Sequence, residues 1–166
     1  MRKQWYQKKL PRQVLIDQEF RSPHVQAFAG LLRGHAAATR CFSALLQKGH
    51  GLSLSEYEVL LRLARAPDHR LKRVELVSQV LLTPSGITRL LTRLEAAGFV
   101  AKASCATDAR VTYAVLTDAG QAKLDAATRT HVREIHTLLG GEFSKEELAT
   151  LAGLLARLPR AVENGA

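Results

Sequence analysis

The sequence contains little of what several large classes of protein depend on. Its two cysteines, Cys41 and Cys105, are too few for a disulfide framework and fit a reducing cytoplasm. Aromatic residues make up 5% of the chain, too small a share for the stacking platforms that bind single-stranded nucleic acid. The best candidate for a membrane span, residues 27–46, is interrupted by Arg33 and Arg40. Because no apolar segment follows the basic N-terminus to make a signal peptide, we expect a cytoplasmic protein with no membrane partner.

No combination of side chains indicates catalysis. The sequence has no serine or cysteine with a plausible base and orienting partner, no glycine-rich phosphate loop and no paired carboxylates with a pocket signature. His131 and His136 are five residues apart on a predicted helix and do not share a face well, which argues against a zinc site. We therefore expect neither an enzyme nor a bound cofactor or metal.

Negative charge is also scarce. The chain has 24 lysines and arginines against 15 aspartates and glutamates, a formal net charge of +9. This excess favours a polyanionic partner, with nucleic acid ahead of an anionic membrane surface. Residues 1–12 contain five positive charges and no negative ones, which predicts a basic arm at residues 1–10. A short helix is predicted from Pro11 to Phe20, with Val14, Leu15 and Phe20 as its apolar anchors.

Residues 83–98 have the pattern of an amphipathic helix with clear start and stop signals. Thr83 suits the N-cap, Pro84 the first helical position, and Gly98 a left-handed end. The apolar face comprises Ile87, Leu90, Leu91, Leu94 and Ala97. The opposite face carries Ser85, Thr88, Arg89, Thr92 and Arg93. Small hydroxyls with two arginines are typical of a helix that enters the DNA major groove, although an ordinary surface helix has a similar face.

The flanking segments favour the DNA-binding interpretation. A short helix is predicted at residues 73–80, so the two helices and their turn form a helix-turn-helix. Residues 99–104 and 110–116 are predicted strands joined by a polar turn, which makes a β-hairpin wing directly after the amphipathic helix.

Further helices are predicted from their caps. Ser22 and Pro23 begin a helix that ends at residues 49–51, and Ser55 with Glu58 forms a capping box for a helix to about residue 66. Thr117 caps a long helix to about residue 139. A second capping box, Ser144 with Glu147, opens a last helix that runs to Leu158 before Pro159.

With these elements in place, the chain resembles the MarR family of bacterial transcriptional regulators over about residues 24–158. The segments that carry the resemblance are Glu75-Leu76, Leu82-Thr83-Pro84-Ser85, Ile87-Thr88-Arg89-Leu90, Arg93-Leu94-Glu95, Gly98-Phe99-Val100, the Asp-x-Arg of the wing at Asp108-Ala109-Arg110, and Leu116-Thr117-Asp118-Ala119-Gly120. No single segment is specific to the MarR family, but the order and spacing of the segments together are strong evidence for the resemblance.

The resemblance implies a mainly α fold with a small β wing. A winged helix-turn-helix region at residues 51–117 is flanked by long dimerisation helices at 23–50 and 118–166, after a basic arm and short helix at 1–22. The resemblance also implies a homodimer that binds double-stranded DNA at a pseudo-palindromic operator, most simply as a repressor. A small aromatic or anionic effector, or an oxidant, would release it.

The family's DNA-binding residues are expected at positions that match its motifs. They are Ser85, Gly86, Thr88, Arg89 and Arg93 in the recognition helix, and Arg110 with its bracing Asp108 in the wing. Lys72 and Arg73 begin the preceding helix, where two cations and free N–H groups suit a phosphate. Three positions depart from the family pattern: Lys72 replaces a hydroxyl cap, Leu81 a turn glycine, and Gly86 a threonine or serine.

The mode of regulation stays open between several alternatives. His35 lies on an apolar seam with Phe28, Leu31, Ala38, Phe42 and Leu45, so it is either an interface histidine or part of an effector pocket. Cys41, beside Arg40, is the candidate for thiol-based redox sensing, whereas Cys105 is expected to be an exposed thiol. A metal sensor of the ArsR type would carry paired cysteines on the helix before the recognition helix, and residues 77–80 of this sequence contain none. A degenerate winged helix that binds protein would lack the two recognition-face arginines, and both are present.

Overall fold

The computed structural model describes residues 20–80, 84–104 and 111–163. These residues form α1 (Pro23–His50), α2 (Leu54–Arg65), a 3-10 turn (Pro67–His69), β1 (Arg70–Lys72), α3 (Arg73–Gln79), α4 (Pro84–Ala96), β2 (Val100–Ser104), β3 (Thr112–Leu116), α5 (Asp118–Gly140), α6 (Lys145–Leu155) and α7 (Leu158–Glu163). The expected fold class, mainly α with a small β wing, is confirmed. The backbone contacts divide the chain into one unit at residues 1–42 and another at 43–166.

Helix α1 begins and ends where its signals predicted. The Val25 amide N–H donates to Ser22 Oγ across 3.4 Å, and Gly51 takes the left-handed conformation, with φ of 64°, just after the last helical residue. In the unit at residues 1–42, Phe28 and Leu31 are 60% and 38% exposed. His35 and Cys41 are exposed as well.

The predicted cap of α2 at Ser55 is wrong, because the helix begins two residues earlier. Ser53 is the N-cap, and its hydroxyl accepts the Glu56 amide N–H while Glu56 Oε2 accepts the Ser53 amide N–H, at 3.2 and 2.8 Å. Both serines precede a glutamate by three residues, so the local pattern fits either one. The earlier start buries Leu52 and Tyr57 on the two sides of the cap.

The core of the second unit lies where α2, α3, α4, the sheet and α5 meet. Its buried side chains are Leu46, Leu52, Tyr57, Val59, Leu60, Leu63, Leu76, Val80, Ile87, Leu90, Leu91, Leu94, Val100, Ala114, Leu116, Leu124 and Ala127. The predicted apolar face of α4 is therefore confirmed, except that Ala97 is exposed because the helix ends at Ala96.

The sheet has one strand more than the predicted wing. Its order is β1-β3-β2, antiparallel throughout, with Leu71 opposite Ala114 and Lys102 also opposite Ala114. Strand β1 was not predicted, because three residues are too few to show an alternating pattern. It is reached through Asp68 and His69, which adopt positive φ angles of 51° and 52°.

The end of α4 and the start of α5 meet at the base of the wing. Gly98 has a φ of 74°, and the Gly98 and Phe99 amides donate to the carbonyls of Glu95 and Leu94 at 3.0 and 2.9 Å, a Schellman ending. The Thr117 hydroxyl donates to the Gly98 carbonyl at 2.7 Å and accepts the Gly120 N–H at 3.0 Å. One threonine therefore caps α5 and ties it to the end of α4.

The predicted single helix from Lys145 to Leu158 is wrong. Its capping box at Ser144 and Glu147 is present, but α6 ends at Leu155 and a separate helix, α7, starts at Leu158. Pro159 lies in the first turn of α7, where a missing N–H costs nothing, so it starts a helix instead of ending one. Large apolar side chains stay exposed along this segment: Phe143, Leu151, Leu154, Leu155 and Leu158.

Replacing Gly120 by alanine is expected to lower the free energy of unfolding by about 1–3 kcal/mol, as overpacking does. A Cβ atom there would collide with the Phe99 carbonyl oxygen and lie 2.8 Å from Leu116 Cδ1. Urea denaturation measures the effect. The control is Gly49→Ala in α1, where the added methyl meets nothing within 4 Å and stability is expected to stay unchanged or rise. Equal stability of the two variants would contradict the close approach at Gly120.

Candidate nucleic-acid interface

Helix α4 presents a polar face because its other face is held in the core. Ile87, Leu91 and Leu94 are at most 2% exposed, which fixes the rotation of the helix about its axis. The predicted recognition residues Ser85, Thr88, Arg89 and Arg93 are exposed, as is Thr92, while Gly86 is half-buried. The structure thus brings the predicted residues of α4 together on one surface.

Arg89 is the recognition-face arginine available to a ligand. It makes no ion pair with any residue in the described part of the chain. Thr88 and Thr92 lie on either side of Arg89 along α4, and the Thr92 hydroxyl donates to the backbone carbonyl of Thr88 at 2.9 Å. A charged fork with no internal partner, flanked by small hydroxyls, can take the two acceptors on the edge of a guanine.

Arg93, unlike Arg89, forms an ion pair with another described residue. Its Nη2 lies 3.1 Å from Oε1 of Glu56, a residue that is only 8% exposed. Glu56 Oε2 also accepts the backbone N–H and the hydroxyl of Ser53, at 2.8 and 2.7 Å. The carboxylate that caps α2 therefore also fixes the direction of a recognition-helix arginine.

The first residues of α3 are tied to carboxylates as well. Arg73 Nη2 lies 3.3 Å from Oε1 of Glu95, with both side chains about three-quarters buried, and this pair joins α3 to α4. Lys72 is the N-cap of α3: its backbone N–H donates to Glu75 Oε2 at 3.1 Å, and its Nζ lies 3.7 Å from Glu75 Oε1. Glu75 thus supplies the half of a capping box that comes from the third helical residue, while the Lys72 side chain makes no cap hydrogen bond.

Sequence analysis missed the acidic residues that position this surface. The predicted capping box paired Ser55 with Glu58, so Glu56 was given no role, and Glu95 was noted only within a family motif. A cap pattern signals the bond from Glu56 to Ser53, because those residues are neighbours. No local pattern signals the bonds to Arg93 and Arg73, which depend on tertiary packing.

Several predicted positions lie outside the described residues. They are the basic arm and short helix up to residue 19, Leu81 and Thr83 of the turn, and Cys105, Asp108 and Arg110 of the wing.

In the described residues, no group of three or more histidine, cysteine or acidic side chains is placed to hold a metal ion. Across the same residues, no helix is both long and apolar enough to cross a membrane.

His131 lies away from this surface, on α5. Its ring packs against that of Tyr57, with centroids 5.0 Å apart. Burial lowers the pKa of His131 below its usual value, because desolvation disfavours the charged imidazolium. His131 therefore belongs to the packing of α2 against α5, and the structure does not place it in the candidate interface.

Comparison with known proteins agrees with this geometry. A model of the MarR family matches residues 52–112. The HTH-type transcriptional repressor YetL of Bacillus subtilis (strain 168) is 33% identical over 110 residues, which are 66% of this chain and 65% of YetL. The HTH-type transcriptional regulator PecS of Dickeya dadantii (strain 3937) is 31% identical over 115 residues, 68% of each protein. The chain belongs to the MarR family.

The fold of this MarR-family chain is also that of solved relatives. Sco3205, a MarR family transcriptional regulator from Streptomyces coelicolor solved in complex with DNA, superposes with a TM-score of 0.75. The identity is 23%, and the superposition covers 84% of this chain and 88% of Sco3205. The winged-helix fold is confirmed. The matched relatives are transcriptional regulators, which confirms the expectation that the chain is not an enzyme.

The two recognition-helix arginines are expected to differ in their effect on stability. Arg93→Ala leaves the buried Glu56 carboxylate without its counter-ion, so the free energy of unfolding is expected to fall by about 1 kcal/mol. Arg89→Ala removes no ion pair with a described residue, and its effect is expected to stay within about 0.5 kcal/mol. Thermal and urea unfolding of both variants measure the change in the free energy of unfolding. Equal losses would mean that the Glu56–Arg93 pair contributes nothing to folding.

Proposed function

We propose that this MarR-family regulator is a homodimeric repressor that binds a pseudo-palindromic DNA operator through α4 and the wing of each subunit. The observation that carries the proposal is the outer face of α4, where Arg89 is exposed and makes no ion pair within the described residues, while the opposite face is fixed in the core. That combination supports insertion of a rigidly oriented helix into the major groove. The name of YetL, a transcriptional repressor, supports repression over activation.

Under this proposal the cations of the surface have separate roles. Arg89 specifies sequence by contacting a base edge, with Ser85, Gly86 and Thr88 closest to the DNA at the start of α4. Arg93, Lys72 and Arg73 contact phosphates from positions that their glutamate partners fix. In the wing, Arg110 enters the minor groove and Asp108 braces it, and the basic arm adds affinity for any DNA sequence.

A second copy of the chain is the proposed occupant of the apolar terminal surfaces. Exposed large side chains occur both near the start of α1 and along α6 and α7: Phe28, Leu31, Leu32, Phe143, Leu151, Leu154, Leu155 and Leu158. Large exposed apolar side chains of this kind mark interaction surfaces. The two-fold symmetry of a dimer would match the two halves of a palindromic operator.

Release by a small aromatic or anionic effector completes the proposed cycle. His35 is the ionisable side chain that the sequence places on the α1 seam, and a second subunit packed there would enclose it. The alternative signal is oxidation of Cys41, whose thiol is exposed in the described chain. An effector screen on the reduced protein and a peroxide titration distinguish these two signals, because only the second depends on Cys41.

Arg89→Ala is expected to weaken binding to the operator by about 1–3 kcal/mol and binding to a scrambled duplex much less. The matched control is Arg129→Ala, which removes one exposed charge from α5. Fluorescence anisotropy with DNA from the protein's own promoter region, at one fixed salt concentration, measures both variants. If Arg89→Ala loses affinity equally on both duplexes, Arg89 does not specify a base.

Sedimentation is expected to give a species of twice the 18.2 kDa chain mass at micromolar concentration. Placing charges on the proposed interface, with Leu154→Glu and Leu158→Glu together, is expected to shift the protein towards the monomer because each buried carboxylate would lack a partner. The control is Ala101→Glu on the exposed side of β2. A monomeric unmodified protein would rule out the homodimer.

A further inference from the structure

Glu56 forms an ion pair whose two side chains differ widely in exposure. The Glu56 side chain is 10% exposed and that of Arg93 is 66% exposed, with Arg93 Nη2 lying 3.1 Å from Glu56 Oε1. The pair between Arg73 and Glu95 is different, because its side chains are 25% and 26% exposed. Of these two pairs, only the first places a buried anion beneath a surface cation of α4.

Local hydrogen bonds fix the Glu56 carboxylate independently of Arg93. Oε2 accepts the backbone N–H of Ser53 at 2.8 Å and the Ser53 hydroxyl at 2.7 Å. The Ser53 hydroxyl in turn accepts the Glu56 N–H at 3.2 Å, which completes the capping box of α2. These bonds use Oε2 and the backbone and leave Oε1 for the arginine. Oε1 therefore presents a fixed negative charge beside α4.

This fixed charge has two effects on the Arg93 guanidinium. The contact with Glu56 involves Nη2, so the remaining donors of the rigid, planar group have a limited range of directions. The carboxylate also offsets the positive charge of Arg93, because opposite charges at this distance cancel much of each other's field. Arg93 therefore offers directed hydrogen-bond donors with little excess charge.

Arg89, the neighbouring arginine on the same side of α4, lacks such an ion pair. It precedes Arg93 by four residues, so the two lie about one helical turn apart. Arg89 makes no ion pair in the described part of the chain. Phosphate contacts fix the register of a protein on a duplex, and base contacts read the sequence. A directed Arg93 at a phosphate would thus hold Arg89 over its base pair.

We propose that Glu56 is a positioning residue that raises the specificity of DNA binding. It directs the Arg93 guanidinium towards one phosphate and offsets its charge, so that Arg93 aligns α4 on the operator and adds little attraction to other sequences. The role assigned to Glu56 rests on the proposed operator binding through α4. A purely structural role, as the cap of α2, would stabilise the fold without affecting how the protein distinguishes two duplexes.

Glu56→Gln in the full-length protein tests this role, because glutamine keeps an acceptor for Ser53 and removes the charge. Fluorescence anisotropy measures binding to promoter DNA and to a scrambled duplex over a series of salt concentrations. We expect the preference for promoter DNA to fall about two- to fivefold, the effect of a largely exposed ion pair. On the scrambled duplex, the log–log salt slope is expected to steepen by up to about 0.9 per bound subunit, because the released Arg93 neutralises a further phosphate.

Glu58→Gln is the matched control, because it removes one negative charge from the same helix two residues away. Glu58 is half-buried and makes no ion pair with a described residue. The salt slope and the preference of this variant are expected to match those of the unmodified protein. Equal changes in the Glu56 and Glu58 variants would mean that net charge alone is responsible, and would overturn the proposal.

The double variant Glu56→Gln, Arg93→Gln removes both charges and leaves no buried carboxylate unpaired. It is expected to keep the salt slope of the unmodified protein, because the local charge does not change. Its preference for promoter DNA is expected to fall about two- to fivefold, since the positioned guanidinium is lost. Circular dichroism establishes whether each variant is folded, and the double variant decides the outcome if Glu56→Gln alone does not fold.

Two results for these variants overturn the proposal. If Glu56→Gln weakens binding to both duplexes by the same factor and leaves the salt slope unchanged, Glu56 only caps α2. If the double variant keeps the full preference for promoter DNA, the position of Arg93 does not contribute to specificity. Preferential binding of promoter DNA by the unmodified protein supports operator binding whatever the variants do. Without that preference in the unmodified protein, both proposals fail.

Discussion

The buried carboxylate of Glu56 links the start of one helix to the functional face of another. A charge that is 8% exposed requires compensating partners, since desolvation of an unpaired carboxylate is costly. Ser53 supplies two donors and Arg93 supplies the counter-ion, at 2.7, 2.8 and 3.1 Å. The cap of α2 and the direction of a recognition-helix arginine therefore depend on the same group. A change at either end would affect the other through Glu56.

A second junction orients the wing. The left-handed Gly98 turns the chain out of α4, and Thr117 and Gly120 bring α5 back against that turn. Gly120 allows the helix to approach the Phe99 carbonyl more closely than any side chain would permit. The Leu-Thr-x-x-Gly segment that carries the family resemblance thus has a physical explanation: its threonine supplies the cap and its glycine supplies the space.

The positive charges near α3 and α4 differ in whether a glutamate pairs with them. Three cations at the start of α3 and in α4 are matched by glutamates within the fold: the N-cap Lys72, Arg73 and Arg93. The pairing fixes where these side chains lie and reduces the local positive potential. Arg89, exposed on α4, makes no ion pair with any other described residue. In the proposed DNA interface, this arrangement of positioned cations beside Arg89 would favour specificity over indiscriminate attraction to DNA.

Local sequence determined most of the element boundaries. The caps at Ser22, Thr117 and Ser144 and the ending at Gly98 were predicted correctly, because each depends on hydrogen bonds between residues within one turn of each other. The apolar face of α4 was predicted for the same reason, since helical periodicity alone decides which residues share a side.

Only the tertiary structure decided the remaining features. Ser53 and Ser55 both match the capping pattern, and the choice between them depends on which start buries Leu52 and Tyr57. Strand β1 exists only because β3 offers it a partner, so three residues without a pattern of their own become part of the sheet. The pairs of Arg93 with Glu56 and of Arg73 with Glu95 join segments far apart in the sequence. The sequence by itself determined which residues are chemically able to bind DNA. Packing decided which of those described are held by glutamates and which is left without an ion pair.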